Sequence, residues 1–449
     1  MEQISLQVMN PHSAGIDVGS RFHMVAVGQS KQDVRQFGVY TQDHFELIKW
    51  LKSHCITSVA MESTGSYWQT LFDALQQADF EVILVNGNHV KNVKGKKTDV
   101  LDCTWIQKLH SLGLLSASFL PQAELLKLRT YYNHRQHLVN QTTRYINKMQ
   151  KAMRLMNIRL EVVLSDIMGN SGRAIISAIL RGERDPAILA ALANYRVKKS
   201  KEEIMKSLEG NWRDDLLYEL EDCLSLYDHY CNKIKECDRR LESKIATLPK
   251  GTSAVNTDTK KKKQKSKFSP GFDIGKMATQ YFGTDLCEIN GVSHNTVLCL
   301  LTHMGHDIYK FPSSKHFCSW LRLCPNNKIS GGKILSSRTP KGKNKIALAL
   351  RQAANSIGNQ RNHPMTPFFN RVAFKKGREA AVTATARKLS VSVYNMITKK
   401  ESYQPFDYAS QLQTSKTKQM KKLALKLSSL KLEKEELKTM FESLTLSAT

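Results

Sequence analysis

Ala14-Gly15-Ile16-Asp17-Val18-Gly19-Ser20 is the stretch on which the fold turns. Its residues through Val18 form a short apolar run of the kind that makes a buried strand, and the run ends on a carboxylate. Burying that carboxylate is costly unless it is paired or holds a cation. Working outward, residues 23–28 alternate as a second strand and residues 34–40 make a third. Phe45, Leu47, Ile48 and Leu51 then mark one stripe of a helix. Residues 58–62 and 81–85 read as a fourth and a fifth strand, and residues 100–112 as a helix. Three strands followed by alternating helix and strand is the element order of an α/β RNase-H-like fold. A doubly wound nucleotide-binding fold is the alternative.

Four carboxylates fall at telling places in this order. Asp17 ends the first strand, and Glu62 ends the fourth in Ala60-Met61-Glu62-Ser63-Thr64-Gly65. Asp99 and Asp102 are three apart in the predicted helix and so share a face. Like charges on one face are mildly unfavourable until a hard, oxygen-liking cation such as Mg2+ relieves them. Two such ions, about 3.5–4 Å apart, stabilise the attacking and leaving oxygens of phosphoryl transfer. Taken singly, Asp17 can cap a turn and Asp99 can cap its helix. The basic run Lys91, Lys94, Lys96, Lys97 precedes Asp99 and is placed to hold a scissile strand. A sugar-kinase or actin-like ATPase also opens on a strand with Asp-x-Gly, and Asp273-Ile274-Gly275 could pose as its second phosphate loop. That loop abuts a lysine-rich segment and follows no clear strand, and the charge is wrong for the class.

The chain has 449 residues, 41% of them hydrophobic, and a formal net charge of +27. This is a globular composition with room for two or three domains and with a polyanion as its natural partner. No apolar run is long enough to span a bilayer, and the first residues do not resemble a signal peptide. Nine cysteines without a C-x-x-C spacing read as reduced core thiols of a cytoplasmic protein. Between Pro121 and Leu160 eight Lys or Arg face a single acid, Glu124, and Arg144, Lys148 and Lys151 fall at helical spacing. They are expected to form a basic face on a helical arm touching a nucleic-acid backbone. A second long helix, residues 201–246, is expected to return antiparallel. The expected domains are 1–118, 119–248, a basic disordered linker 249–276, 277–405 and a basic amphipathic helical tail 406–449. In the tail Met420, Leu423, Leu427, Leu430, Leu437, Phe441 and Leu444 follow a spacing of three and four, with Lys434 as the one polar break.

The loop 326–343 is rich in glycine and lysine. Ser330-Gly331-Gly332 allows close backbone approach, and Lys328, Lys333, Arg338, Lys341 and Lys343 surround it. A serine that attacks a phosphodiester needs access, activation and charge neutralisation. The loop is expected to be a flexible turn offering the first and the third. Read alone, Ser-Gly-Gly is an ordinary loop.

These residues together resemble the insertion-sequence transposases of the IS one-ten / eleven-eleven group, relatives of the Piv DNA invertase. The resemblance is carried by Gly15-Ile16-Asp17, Met61-Glu62-Ser63-Thr64-Gly65, Lys97-Thr98-Asp99 with Asp102, Ile289-Asn290-Gly291-Val292, Phe311-Pro312-Ser313, Cys324-Pro325, Ser330-Gly331-Gly332 and Ala386-Arg387-Lys388-Leu389. It implies a RuvC-like domain with the tetrad Asp17, Glu62, Asp99 and Asp102, a coiled-coil arm, and a mainly α transposase domain with Ser330 as the catalytic serine. It implies recombination of donor and target DNA under a structured bridge RNA, by a homo-oligomer between dimer and tetramer, through a covalent phosphoserine with Mg2+ at the carboxylates. DNA contacts at Gly291 would go through backbone amides, and Arg387 lies in a matching stretch. The group's Gly-x-Gly turn is here Gly291-Val292-Ser293, the glycine before its Pro is replaced at Leu321–Cys324, and the arm, linker and tail are long. Trp105, Tyr131, Tyr132 and Tyr145 are candidates for stacking on RNA bases, although such residues are more often core. An RNA-independent invertase, a Holliday-junction-type nuclease and an inactive nucleic-acid-binding relative remain as alternatives.

Overall fold

A computed structural model describes residues 7–63, 65–85, 99–249 and 267–405, with positions 413, 417, 420, 421 and 425. The remainder of the tail 406–449, most of the expected linker and the run Lys91 to Lys97 lie outside the described residues. The chain divides into two compact units, Met1–Leu120 and Pro121–Thr449.

The first unit is built on one mixed sheet. Its strands are β1 (Ser13–Val18), β2 (His23–Ala26), β3 (Val34–Phe37), β4 (Ser58–Glu62) and β5 (Glu81–Val85). Their order is β3-β2-β1-β4-β5. β1 to β3 are antiparallel neighbours, whereas β4 and β5 run parallel to β1. The antiparallel meander excludes an all-parallel doubly wound sheet and is the RNase-H-like arrangement. β2 and β3 are shorter than their apolar content suggests. After Ala26 the chain bends so that the Val27 amide reaches the Asp33 carbonyl, and after Phe37 the Tyr40 amide donates to the Asp43 carboxylate at 2.9 Å, which starts a helix.

Period-two alternation gives the sheet two apolar faces. On one, Ala14, Ile16, Val18, Val25, Val59 and Met61 pack under α1 (Thr41–Ser53) and α2 (Trp68–Gln77), with Leu47, Leu51, Leu71 and Leu75 fully buried. The other is covered by α3 (Asp99–Ser111), through Met24, Ala26 and Cys103 and through Ala60, Val85 and Ile106. Gly15 lets α3 lie directly on β1: a β-carbon there would stand 2.2 Å from the Gln107 nitrogen and 2.5 Å from the Cys103 carbonyl oxygen.

In the second unit the helices α4 (Ala123–Leu155) and α9 (Asp214–Ala246) run antiparallel. The Cys237 thiol donates to the Tyr131 carbonyl at 3.5 Å, and Tyr145 stacks on Tyr230 with ring centroids 5.6 Å apart. Between them come α5 (Leu160–Val163), α6 (Asn170–Leu180), α7 (Pro186–Ala191) and α8 (Lys201–Lys206). They share an apolar core of Met149, Met153, Ile175, Ile179, Leu208 and Leu220. The single helix expected over 201–246 is broken at 207–213, where the chain docks on the end of α4. The Ser207 carbonyl accepts from the Arg159 amide and the Met156 carbonyl accepts from the Asn211 amide, both at 2.8 Å. Gly210 passes so close to Met156 that a β-carbon would sit 2.4 Å from its carbonyl oxygen.

Arg135 is fully buried against the Asp238 carboxylate at 2.5 Å, and its guanidinium also donates to the Phe268 carbonyl at 3.1 Å. Asp238 in turn accepts from the Gly271 amide at 2.9 Å. Residues 267–271, placed by the sequence in a linker, are therefore tied to the helix pair, and Lys267 adds a 2.8 Å contact to Asp166. α10 (Ile274–Phe282) follows, with the Asp273 carboxylate accepting from the Lys276 amide. Asp273-Ile274-Gly275 is thus a helix start and not a phosphate loop. α11 (His294–His303), α12 (Ser314–Trp320), a two-stranded hairpin, α13 (Lys345–Gly358), α14 (Thr366–Lys376) and α15 (Arg378–Lys399) complete a mainly helical body around Leu298, Phe317, Leu350, Ile357 and Leu389.

Three outcomes test these contacts. Gly15→Val should displace α3, costing about 1–3 kcal/mol in chemical unfolding of the first unit. Asp238→Ala leaves a buried guanidinium without its carboxylate, and should cost about 3–5 kcal/mol and expose residues 267–271 to protease. Burial, then His44, lowers the His23 imidazole to about 4. The unfolded chain therefore binds a proton below about pH 6.5 that the fold refuses. Stability is fully present above that pH and is lost progressively as pH falls towards 4. Hydrogen exchange in β1 and β2 should accelerate over this window, and less so in His23→Gln.

Candidate functional site

The face of the sheet beneath α3 gathers the acidic positions. In β1 the alternation that buries Ile16 on one side puts Ser13, Gly15 and Asp17 on the other. In β4 it puts Ser58, Ala60 and Glu62 there. β1 and β4 are parallel neighbours, with Ile16 opposite Met61, so Asp17 and Glu62 end adjacent strands on the same face. α3 lies on that face. Gln107 donates to the Ser13 carbonyl at 3.2 Å, and the Ser58 hydroxyl and His110 Nε2 meet at 2.8 Å in the interior. These contacts come from the C-terminal half of α3 and sit at the beginnings of β1 and β4. The start of the helix, Asp99 to Cys103, therefore falls towards the strand ends that carry Asp17 and Glu62.

Cys103 lies at the start of α3, beside Asp102 in the chain. Its thiol is pushed up to about 12, first by burial and then by the negative charges of Asp17 and Asp102, against opposing backbone hydrogen bonds. Two carboxylates from different elements thus act on one buried sulfur. Glu62 and Asp102 are half-buried, as is Asp17. Asp99 opens α3, but its side chain is outside the described residues. Among the described residues no three His, Cys, Asp or Glu side chains come together as a ligand group for a metal ion. The described carboxylates therefore share a face without forming a closed ligand set.

Ser330 belongs to the second unit and sits on a hairpin, where a flexible turn was expected. β6 (Lys328–Ser330) pairs antiparallel with β7 (Lys333–Ser336), with Ser330 opposite Lys333 and Ile329 opposite Ile334. Gly331 and Gly332 have φ of +53° and +73°, the geometry of a two-residue turn with both central residues left-handed. That signal, Gly-Gly between two short β-prone runs, was present in the sequence. Ser330, Lys328 and Lys333 are all exposed. At the hairpin's base the Asn326 amide donates to the Arg338 carbonyl at 3.0 Å, and Arg322 donates to the Lys341 carbonyl.

The other expected contact residues are spread over the surface of the second unit. Arg144, Lys148 and Lys151 are exposed on α4, and Arg387 is exposed on α15. Gly291 has a φ of +90° and presses on α13, where a β-carbon would meet Ile357 at 2.7 Å. Lys94, Lys96 and Lys97 lie outside the described residues. Three of the four aromatic candidates are engaged in packing: Tyr132 is buried edge-on to His303, Tyr145 stacks within the helix pair, and Trp105 packs beside Ile106, while Tyr131 is half-buried on α4. One signal went unread. Residues 308–378 contain fifteen Lys or Arg and no Asp or Glu, more than half of the chain's net charge in a sixth of its length.

Comparison with known families follows the same two regions. Residues 14–158, which span the carboxylate-bearing sheet and all of α4, match the transposase family model DEDD_Tnp_IS110. Residues 283–369, which span Gly291, the serine hairpin and α13, match the model of the transposase IS116/IS110/IS902 family. No curated protein matches the chain. The first match implies an RNase-H-like domain with four acidic positions and use of a divalent metal, in keeping with the sheet observed. The two matches occur in the order and on the units where the acidic face and the serine hairpin stand, and together they cover more than half of the sequence. The chain belongs to the IS110 group of transposases.

Proposed function

We propose that this transposase cuts and rejoins DNA strands through a covalent phosphoserine at Ser330, with Asp17, Glu62, Asp99 and Asp102 as the acidic tetrad and a structured bridge RNA as its guide. The observation that carries the reading is the placement of Asp17 and Glu62 at the ends of adjacent parallel strands, on the face crossed by the helix that opens with Asp99 and Asp102. Carboxylate oxygens gathered on one side of a small domain suit a hard divalent cation, Mg2+ above all. When bound, it would neutralise charge on the reacting phosphate.

The chain's own groups account for the remaining steps. The Ser330 oxygen attacks phosphorus as its proton departs to a base. The bond from phosphorus to the leaving strand's oxygen breaks, and that oxygen takes up a proton. One phosphodiester is exchanged for another, so the strand is held without an external energy source. Attack by the hydroxyl of the new strand reverses the step and frees the serine. Lys328 and Lys333 flank the reacting phosphate. The residue opposite Ser330 on the hairpin is a lysine, so the base is drawn from elsewhere. On this reading the functional assembly is a homo-oligomer, dimer to tetramer, acting in the cytoplasm on nucleoid DNA. The pair α4 and α9 serves as a coiled-coil arm whose exposed Arg144, Lys148 and Lys151 follow a nucleic-acid backbone, while Gly291, Gly331, Gly332 and Arg387 contribute DNA contacts. Lys94, Lys96 and Lys97 would hold the scissile strand.

The protein expressed with the DNA flanking its gene should co-purify with one discrete RNA, identified by sequencing. On paired plasmids Ser330→Ala should abolish both recombination and the denaturant-stable protein–DNA adduct, and Asp99→Asn should abolish cleavage, with RNA binding retained in each. Cleavage that survives in Ser330→Ala would establish a nuclease of the Holliday-junction type. Recombination without a bound RNA would establish a DNA-reading invertase.

A further inference from the structure

Phe374 is 93% exposed, the most exposed large hydrophobic side chain among the described residues. It stands on the last turn of α14, and burial would gain most of an aromatic ring's hydrophobic free energy, which this position forgoes. Its surroundings are cationic. Arg371, Lys375, Lys376 and Arg378 lie within four residues of it, all exposed, at the end of the acid-free run 308–378. Glu379 is the first acid after that run.

The corner that presents the ring is well defined. Gly377 takes a φ of +83° and has open space where a β-carbon would go, and α15 starts at once with no side chain capping its first turn. The Gly377 amide closes α14 on the Ala373 carbonyl at 2.8 Å, which fixes the last turn and the ring it bears. Cations already lie over aromatic faces on this element. Lys388 sits 4.6 Å from the Phe368 centroid, Arg371 5.9 Å from the same ring, and Arg378 5.5 Å from Phe369. The Lys388 ammonium is pushed down by burial and by its neighbours Arg371 and Arg387, so positive charge is crowded here.

We propose that this corner is a platform for a single-stranded nucleotide, with Phe374 stacking on an unpaired base and Arg371, Lys375 and Lys376 holding the flanking phosphates, while Arg378 is held by the Asn355 and Asn359 side chains. An exposed ring set among cations is the arrangement that binds single strands without sequence preference. Duplex DNA offers no free base face to the ring. A second copy of the chain would bring the same cations against one another, which disfavours Phe374 as a self-association anchor. The inference rests on the chain handling nucleic acid as a transposase. It holds for a guide RNA loop and for a DNA strand opened at the target alike.

The test uses the full-length protein and short oligonucleotides carrying one 2-aminopurine, as single-stranded RNA, single-stranded DNA and duplex DNA, at a salt concentration that suppresses non-specific binding. Wild type should quench the fluorescence of a single strand. Phe374→Ala should lose the quenching and weaken single-strand affinity by about 5- to 150-fold, the range for one stacked base, with duplex affinity unchanged. Phe374→Trp should restore both. Lys375→Gln with Lys376→Gln should instead weaken all three and reduce the salt dependence. A loss confined to the RNA arm assigns the base to a guide, and a loss confined to the DNA arm assigns it to an opened target. Either outcome supports the platform. Unchanged single-strand binding in Phe374→Ala, equal losses on single strand and duplex, or a concentration-dependent mass that the variant abolishes would overturn it. Absence of a co-purifying RNA would remove the guide but leave quenching on the DNA arm, so the two readings fail separately.

Discussion

The arrangement of the acidic face depends on the missing side chain at Gly15. The Gln107 nitrogen and the Cys103 carbonyl occupy the space that any β-carbon would need. α3 consequently rests its backbone on β1, and its first turn is brought over the ends of β1 and β4. The buried pair of Ser58 and His110 and the bond from Gln107 to the Ser13 carbonyl then prevent the helix from sliding along the strands. A carboxylate can act on its neighbours only at short range, because its field is screened within about 10 Å at ordinary ionic strength. The influence of Asp17 on the Cys103 thiol follows from this one close approach, whereas Asp102 acts as its chain neighbour.

The sequence displayed the parts of the fold that local pattern controls. β4 and β5 occupy the residues that their apolar runs mark, and α3 begins one residue before the helix read from the pattern. Where a tertiary contact overrides the pattern, the reading was too long. The apolar character of residues 34–40 outlasts β3 because Asp43 captures the Tyr40 amide and starts α1. Helical periodicity runs across residues 207–213, yet those residues spend their carbonyls and amides on Met156 and Arg159. Nothing in local spacing announces a partner fifty residues away. The tether of residues 267–271 to Arg135 was hidden for the same reason. Lysine-rich, Gly- and Pro-containing sequence reads as linker until the buried ion pair that receives it is in view.

For the site, the sequence showed which acids stand at strand ends but not which strands are neighbours. Adjacency of β1 and β4 is a long-range pairing, and it alone converts Asp17 and Glu62 from two isolated residues into one acidic edge. The serine region was the opposite case. Its structure is local, a Gly-Gly turn between Lys328–Ser330 and Lys333–Ser336, and it was legible from the turn chemistry alone. It was read as loose because glycine and lysine dominate its composition.

Charge separates the two units in kind. The first concentrates carboxylates on one face of a sheet, and the second carries an acid-free stretch of seventy-one residues that includes the serine hairpin and the α14 corner. A surface so one-sided repels itself and is favoured only when a polyanion releases its counterions on binding. On the function proposed for Ser330, its exposed hydroxyl would gain chemical meaning through that surface, since lysines that gather phosphate would also raise the local concentration of phosphodiester there. The ring of Phe374 adds what charge cannot supply. Phosphate contacts position a strand without distinguishing paired from unpaired bases, whereas an open aromatic face responds only to a base free to lie on it. A protein that must handle opened strands amid an excess of duplex needs such a discriminator, and the corner between α14 and α15 holds the one exposed phenylalanine ring within the acid-free run among the described residues.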